Sequence, residues 1–355
     1  MSPGKGEDGI KGAVKSALAL GQTRIGVDRL FRFLNRDKLL VLMYHGVTEQ
    51  EHDPPVWTQL PVALFRDQMA FLRDHYRVLS LEECLAAHNR GGRLPERSAL
   101  ITFDDGFKNN LSVAFPVLQA FGLPATIFLT TDFIGTRDIL WFDELLLLIL
   151  EGARRGVALK LRGPGASESY RAGALWEAYL SCVEAVKRGG ADERGLFLHG
   201  LRRLVPLEKE RWLTDFGPLS WQDVRHMERS GLISFGVHTA THRILTELKS
   251  EELADELAEP RKKLARELER EPHSFCFPNG RPGVDFSAEH QEFLRGCGYH
   301  FAFSTEDRLF DWQGGDRLGI SRIAAGNDGT SEPHLFRLRT SGAFDFLAFL
   351  RELIS

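Results

Sequence analysis

Residues 101–110 read ITFDDGFKNN, an apolar run that stops on two adjacent carboxylates and a glycine. Side chains alternate across a strand, so Asp104 and Asp105 cannot both face one site while the strand continues. The strand must end here, and Gly106 permits the tight turn that ends it. At the carboxyl end of a strand in a parallel barrel both carboxylates can reach one cavity, where such barrels carry out their chemistry. One carboxylate can then ligate a metal while the other stays free as a general base. A turn that only caps the following helix is the alternative reading.

Six further runs have strand composition: KLLVLMY (38–44), PATIFLT (124–130), LISFGV (232–237), HSFCF (273–277), YHFAFS (299–304) and LGISRI (318–323). Their near-continuous apolar character predicts strands covered on both faces, and helix-like segments separate them, as a parallel α/β sheet requires. Val62, Phe65, Met69 and Leu72 recur at helical spacing. SLEE at Ser80–Glu83 has the form of a capping box, Gly122 and Pro124 stop a helix over 108–121, and Pro260 kinks a charged helix over 249–271. Seven strands with intervening helices predict a barrel. Roughly 100 residues separate PATIFLT from LISFGV, where a plain βα unit needs far fewer, so an insertion lies there. The expected organisation is an N-terminal helical segment (1–37), a first part of the barrel (38–135), a helical insertion (136–219), and the second part of the barrel with a C-terminal helix (220–355).

GVHTATHRIL (236–245) also follows an apolar strand. His238 and His242 are four positions apart, which puts both imidazoles on one face if the chain turns helically as it leaves the strand. With one Asp they complete a facial His2Asp site that leaves positions open for water.

Composition narrows the function classes. The 355 residues are 43% hydrophobic, enough for a large core, and 45 Lys and Arg against 49 Asp and Glu give a net charge of −4. Without a basic block, nucleic acid is not an expected partner. Cys84, Cys182, Cys276 and Cys297 form no CxxC pair and read neither as a zinc cluster nor as a disulfide framework, which fits a reducing compartment. The N-terminus has no uninterrupted apolar h-region, so a cytoplasmic location is expected, including the cytoplasmic membrane face. LLLLIL (145–150) falls far short of the roughly 20 residues needed to span a bilayer and reads as a buried helix face, with a helical hairpin, a lid or a lipid contact as the alternatives. Between Ile10 and Leu34, Val14, Leu18, Ile25, Leu30 and Phe33 alternate with Lys and Arg. The favoured reading is a helix packed on its own domain, and a membrane-surface helix is the alternative.

These motifs resemble the polysaccharide deacetylases, the NodB-homology domain or carbohydrate esterase family 4. TFDDG resembles the first motif of that family, HTATH its second, FCFPNG (275–280) the F-x-[YF]-P-x-G stretch that lines the substrate groove, and YHGV (44–47) the opening of the domain in a large branch. The resemblance covers about residues 38–135 and 220–340. It implies an irregular seven-stranded (β/α) barrel with Asp104 as catalytic base and Asp105, His238 and His242 as ligands of a divalent metal, Zn²⁺ by preference. It further implies a groove lined by Phe277, Pro278, Asn279 and Gly280, one of whose backbone N–H groups supports the oxyanion. The implied reaction removes an N-acetyl or related acyl group from an amino sugar in a cell-surface polysaccharide, its precursor or a lipid-linked glycan, with peripheral contact to the inner membrane as a further expected partner.

The general acid departs from the family pattern. LGISRI carries Arg322 and no His, and FPNG has no Arg. His45, at the mouth of the first strand, is the expected active-site histidine, with His334 second and His300 a wall residue. Arg322 is expected to bind substrate or to pair with Asp104. Trp141, Phe142 and Trp221 read as core residues before sugar-stacking ones. The rival functions are an amidase on a non-sugar amide or imide and a non-catalytic glycan-binding relative.

Overall fold

A computed structural model of the chain describes residues 19–346 apart from 158, 160, 162–174, 189 and 328. Val14 and Leu18, the RGPGASES loop and the part of the C-terminal helix beyond 346 lie outside the described residues. The described chain divides into two compact units, Arg137–Gly217 and the remainder.

The larger unit is a curled parallel sheet. Its strands are β1 (Leu40–Tyr44), β2 (Gly46–Thr48), β3 (Gln59–Pro61), β4 (Arg77–Val78), β5 (Ser98–Phe103), β6 (Ala125–Leu129), β7 (Ile233–Val237), β8 (Ser274–Cys276), β9 (Phe301–Phe303) and β10 (Ile323–Ala324). The main order is β10–β1–β5–β6–β7–β8–β9, so each of the seven apolar runs contributes a strand; β4 pairs with the start of β5, and β2 with β3 forms a separate ribbon. The segment before β10 closes the curl: Ile320 bridges Phe303 of β9, and three residues later Ile323 pairs with Leu42 of β1.

Period-two alternation sorts each strand into two buried sets. Leu40, Leu42, Tyr44, Ile101, Phe103, Ile127, Leu129, Val237 and Phe275 belong to one core cluster, which includes Phe65, Met69 and Leu72 of the helix Val62–His75. Val41, Leu100, Phe128, Cys276 and Phe303 belong to another. The Phe128 and Phe303 rings lie 5.1 Å apart although β6 and β9 are not neighbours, so this second set meets across the inside of the curl. Asp104 continues the inward series of Leu100 and Thr102, whereas Asp105 would point out toward the helices if the strand ran on.

The helix signals fold as the chemistry requires. Ser80 and Glu83 exchange hydrogen bonds with each other's backbone N–H at 2.8 and 3.2 Å, and Gly122 ends the helix Phe115–Phe121 at φ 64°. Before Pro260 the chain makes a wider π-type turn over Ala254–Ala258, which accommodates the missing proline N–H.

The unit Arg137–Gly217 is helical, with helices Trp141–Arg154, Leu175–Arg188, Gly190–Leu204 and Lys209–Phe216. Leu145–Ile149 of the LLLLIL run are all buried. The Arg194 guanidinium lies 4.8 Å from the Trp141 ring centre, which engages that face of the indole within its own unit.

Gly106 has φ +85°, and a Cβ there would lie 2.7 Å from Leu129 Cδ2 and 2.8 Å from Ile134 Cδ1. Gly106→Ala therefore combines left-handed strain with overpacking and should cost about 2–5 kcal/mol, read as a lowered denaturant midpoint. An unchanged midpoint would show that the turn relaxes freely.

Candidate active site

Asp104 leaves the end of β5 pointing inward and is 2% exposed. Arg322, 0% exposed, meets it with both terminal nitrogens, Nη1 to Oδ1 at 2.7 Å and Nη2 to Oδ2 at 2.8 Å. The same guanidinium donates to Ser304 O, Thr102 Oγ1 and Cys276 Sγ, so all five of its N–H groups have acceptors. Burial by itself would raise the Asp104 pKa, but the Arg322 charge, His238, the Arg322 hydrogen bonds and His45 together outweigh it and hold the carboxyl well below the usual range. Of the two expected roles for Arg322, the structure shows the pairing with Asp104. Its donors are spent and its surface is covered, so it cannot reach a substrate.

Asp105 follows with φ 73°, and this left-handed residue returns its side chain to the side that Asp104 faces. Its Oδ1 lies 3.3 Å from His242 Nε2 and 3.5 Å from His238 Nε2. The two imidazoles do not meet on a helix. The chain from 238 to 243 is irregular, and left-handed Thr239 and His242, at φ 62° and 60°, bring the ring centres to 4.9 Å. Thr239 Oγ1 accepts from His242 N at 2.9 Å and secures the bend.

The protonation pattern suits a cation. His238 Nδ1 lies 2.8 Å from Cys276 O, and a carbonyl only accepts, so Nδ1 carries the proton and Nε2 presents a lone pair toward Asp105. Burial, aided by neighbouring His242, lowers the His238 pKa to about 4, which keeps the ring neutral at pH 7. Asp105 is 1% exposed and, among the described residues, neither carboxylate oxygen has a hydrogen-bond partner. A buried carboxylate left without donors and faced by a lone pair is costly unless a cation lies between them. The ligand atoms of Asp105, His238 and His242 lie within 4.8 Å of one another, and this N2O donor set fits a divalent metal of the Zn²⁺ type. Asp104, His238 and Cys276 are equally close, but Arg322 already occupies Asp104 and Cys276.

His45 follows β1 and is half-buried, with its ring 4.9 Å from that of Trp57. Burial lowers its pKa while the charges of Asp105 and Asp104 act to raise it, which places the ring in the field of both carboxylates. The NN of ITFDDGFKNN explains this placement. Asn110 Nδ2 donates to His45 O, and Asn109 Nδ2 donates to Gln59 Oε1, each at 2.7 Å. Gln59 lies beside Gly46, where a Cβ would be 2.1 Å from Gln59 Oε1.

The FPNG segment is arranged differently from a simple groove wall. Phe277 is 1% exposed and stacked 3.7 Å from Phe286, so it supports the loop from beneath, and Pro278 is buried. Phe277 N donates to Phe303 O, Gly280 N to Pro278 O, and Pro278 has no N–H. Among these four residues that leaves the Asn279 N–H as the one not given to a backbone carbonyl, on a backbone at φ 58°.

His334 stands outside this group, with Nδ1 2.9 Å from Thr23 Oγ1. His300 precedes β9 and packs near His273 and His88, at the end of the strands opposite the carboxylates. Trp221 has Lys263 over its ring at 5.7 Å and packs against the larger core cluster.

The reading of single motifs missed Glu256. It lies in the π-type turn, is 5% exposed, and its Oε2 accepts from Ala240 N and Thr241 N at 3.0 Å each, which holds the loop between the two histidines. The available signal was a glutamate on the apolar side of SEELADELAEP.

The family model for polysaccharide deacetylase matches residues 91–302, more than half of the chain, and the chain belongs to that family. Over 186 residues it is 38% identical to the poly-β-1,6-N-acetyl-D-glucosamine N-deacetylase of Staphylococcus epidermidis, covering 47% of this chain and 57% of that protein. Over 111 residues it is 32% identical to the enzyme of the same name from Escherichia coli K12, covering 30% of this chain and 16% of that protein. The chain thus spans less than two thirds of the length of either relative. The structure of IcaB from Ammonifex degensii superposes with a TM-score of 0.54 at 19% identity, over 86% of this chain and 97% of that one, and shares the fold.

Two outcomes follow from the geometry. His238→Ala should weaken Zn²⁺ binding at least 100-fold, and Glu256→Gln, which only loosens the loop, by about 10–100-fold in chelator-competition titrations. Equal affinity in all three proteins would remove the assigned ligand set. Arg322→Ala leaves Asp104 buried without its counter-charge and should lower stability by about 3–5 kcal/mol in chemical denaturation. A loss under 1 kcal/mol would mean that water already reaches the pair.

Proposed function

We propose that this chain is a metal-dependent N-deacetylase that hydrolyses the N-acetyl amide of amino sugars in a polysaccharide, with β-1,6-linked N-acetylglucosamine as the repeating unit. The observation that carries this is the Asp105 carboxylate, buried without donors opposite two imidazoles and beside an Asp104 held by arginine. The names of the relatives support the sugar and the acyl group.

Zn²⁺ held by Asp105, His238 and His242 would polarise the amide carbonyl and acidify a water molecule. Asp104 accepts the proton of the attacking water on a carboxylate lone pair that Arg322 leaves open. Arg322 keeps Asp104 ionised and fixed in direction, and a base this weak requires a correspondingly acidic water. The Asn279 N–H would support the developing oxyanion. As the C–N bond breaks, His45 delivers a proton to the departing sugar nitrogen and is recharged by the proton that Asp104 took from the water, so amide and water become acetate and amine.

Acetate release from β-1,6-linked N-acetylglucosamine oligomers tests the reading. Asp104→Asn should retain metal while kcat falls by about 10²–10⁴-fold, and His238→Ala should lose both metal and turnover. Turnover of small cyclic imides without acetate release from any N-acetylated sugar would transfer the same residues to amidase chemistry.

A further inference from the structure

The helix Val27–Leu34, VDRLFRFL, is folded inside out. Asp28 and Arg32, one turn apart, are 4% and 8% exposed and joined at 3.1 Å, with the Arg32 guanidinium 5.2 Å from the Phe71 ring centre and 5.9 Å from that of Tyr76. This ion pair faces the barrel unit. The opposite face presents Leu30, Phe33 and Leu34 at 55, 60 and 59% exposure, and Ile25 in the preceding turn is 80% exposed. Positions 30, 33 and 34 form one stripe on a helix. Phe31 lies at its margin with its ring 5.4 Å from that of exposed Phe346, which widens the apolar surface.

A short helix gains most by burying such a stripe, and here a buried ion pair, whose desolvation is unfavourable, holds the stripe outward. The expectation that this helix packs on its own domain is met by its polar face, while Ile25, Leu30 and Phe33 are the residues left in solvent. Contiguous apolar surface of this kind marks an interaction face. The charges around it point to the occupant. Arg24, Arg29 and Lys38 are exposed, Arg36 lies 4.7 Å from the Phe33 ring centre and pairs with exposed Glu96 at 3.3 Å, and Asp37 is the one exposed acid among residues 19–38. Bulky apolar residues in one stripe bordered by cations form the pattern that seats a helix in the headgroup region of an anionic bilayer. No helix among the described residues is long and apolar enough to cross a membrane, so the contact lies on the surface.

We propose that the face formed by Ile25, Leu30, Phe33 and Leu34 docks this protein on anionic lipid surfaces, with Arg24, Arg29 and Lys38 against the headgroups. The proposal does not depend on the deacetylase reading. Flotation of the full chain with phosphatidylglycerol/phosphatidylcholine vesicles, and with phosphatidylcholine alone, tests it. Wild type should float with the anionic vesicles and much less with the neutral ones. The triple variant Leu30→Ser, Phe33→Ser, Leu34→Ser should bind at least tenfold more weakly with an unchanged melting temperature, since these side chains are already in solvent. Arg29→Glu with Lys38→Glu, which keeps the apolar stripe, should lose about fivefold or more per reversed charge. Failure of wild type to float, or equal flotation of wild type and triple variant, would overturn the proposal. So would a wild-type dimer that the triple variant converts to monomer while neither binds vesicles, which would make the stripe a contact between copies of this chain.

Discussion

The mouth of this barrel depends on the ion pair between Asp104 and Arg322. Neither charge reaches water, and a buried pair holds only when its geometry is good and its remaining donors are satisfied. Here two parallel hydrogen bonds join guanidinium and carboxylate, and the other three N–H groups go to Ser304, Thr102 and Cys276. The arginine thereby joins residues that follow or belong to β5, β8 and β9 from the segment that closes the curl. One side chain both completes the barrel interior and sets the direction of the proposed base. The same enclosure keeps Arg322 from the substrate.

Around that fixed point, the remaining site residues are set by bends at the strand ends. Among the described residues, six other than glycine have positive φ, and Asp105, Thr239, His242 and Asn279 of the site are four of them. Left-handed backbone at such residues costs of order 1–3 kcal/mol each and persists only where surrounding contacts over-determine it. Those contacts are visible: Thr239 bonds His242 N, Glu256 holds Ala240 and Thr241, and Thr305 Oγ1 donates to Asn279 O. Regular strands would have sent the two carboxylates to opposite sides of the sheet.

The helix Val27–Leu34 obeys a different constraint. Its packing face is polar because Arg32 finds both a carboxylate and two aromatic rings, and this fixes the apolar stripe toward solvent. The site and this face therefore rest on the same device, a buried arginine whose partners fix the orientation of a neighbouring surface.

The sequence by itself determined the seven strands, since continuous apolar runs separated by helical segments leave few other ways to bury both faces. It also determined where β5 must stop, because adjacent carboxylates cannot share a face of a continuing strand. The grouping of Asp104, Asp105, His238 and His242 was legible because Asp104 and His238 each lie directly after such a run, with Asp105 and His242 one and four positions further on. Their arrangement was not. A four-residue spacing suggested a helical turn for His238 and His242, whereas the positive φ values that join them depend on Glu256, 14 residues beyond His242 in number and adjacent only in space. Arg322 could be read equally as a substrate anchor or as a partner of Asp104, and Phe277 as part of a groove. Only tertiary structure decided both, because burial and the commitment of every donor arise from strands far apart in the chain.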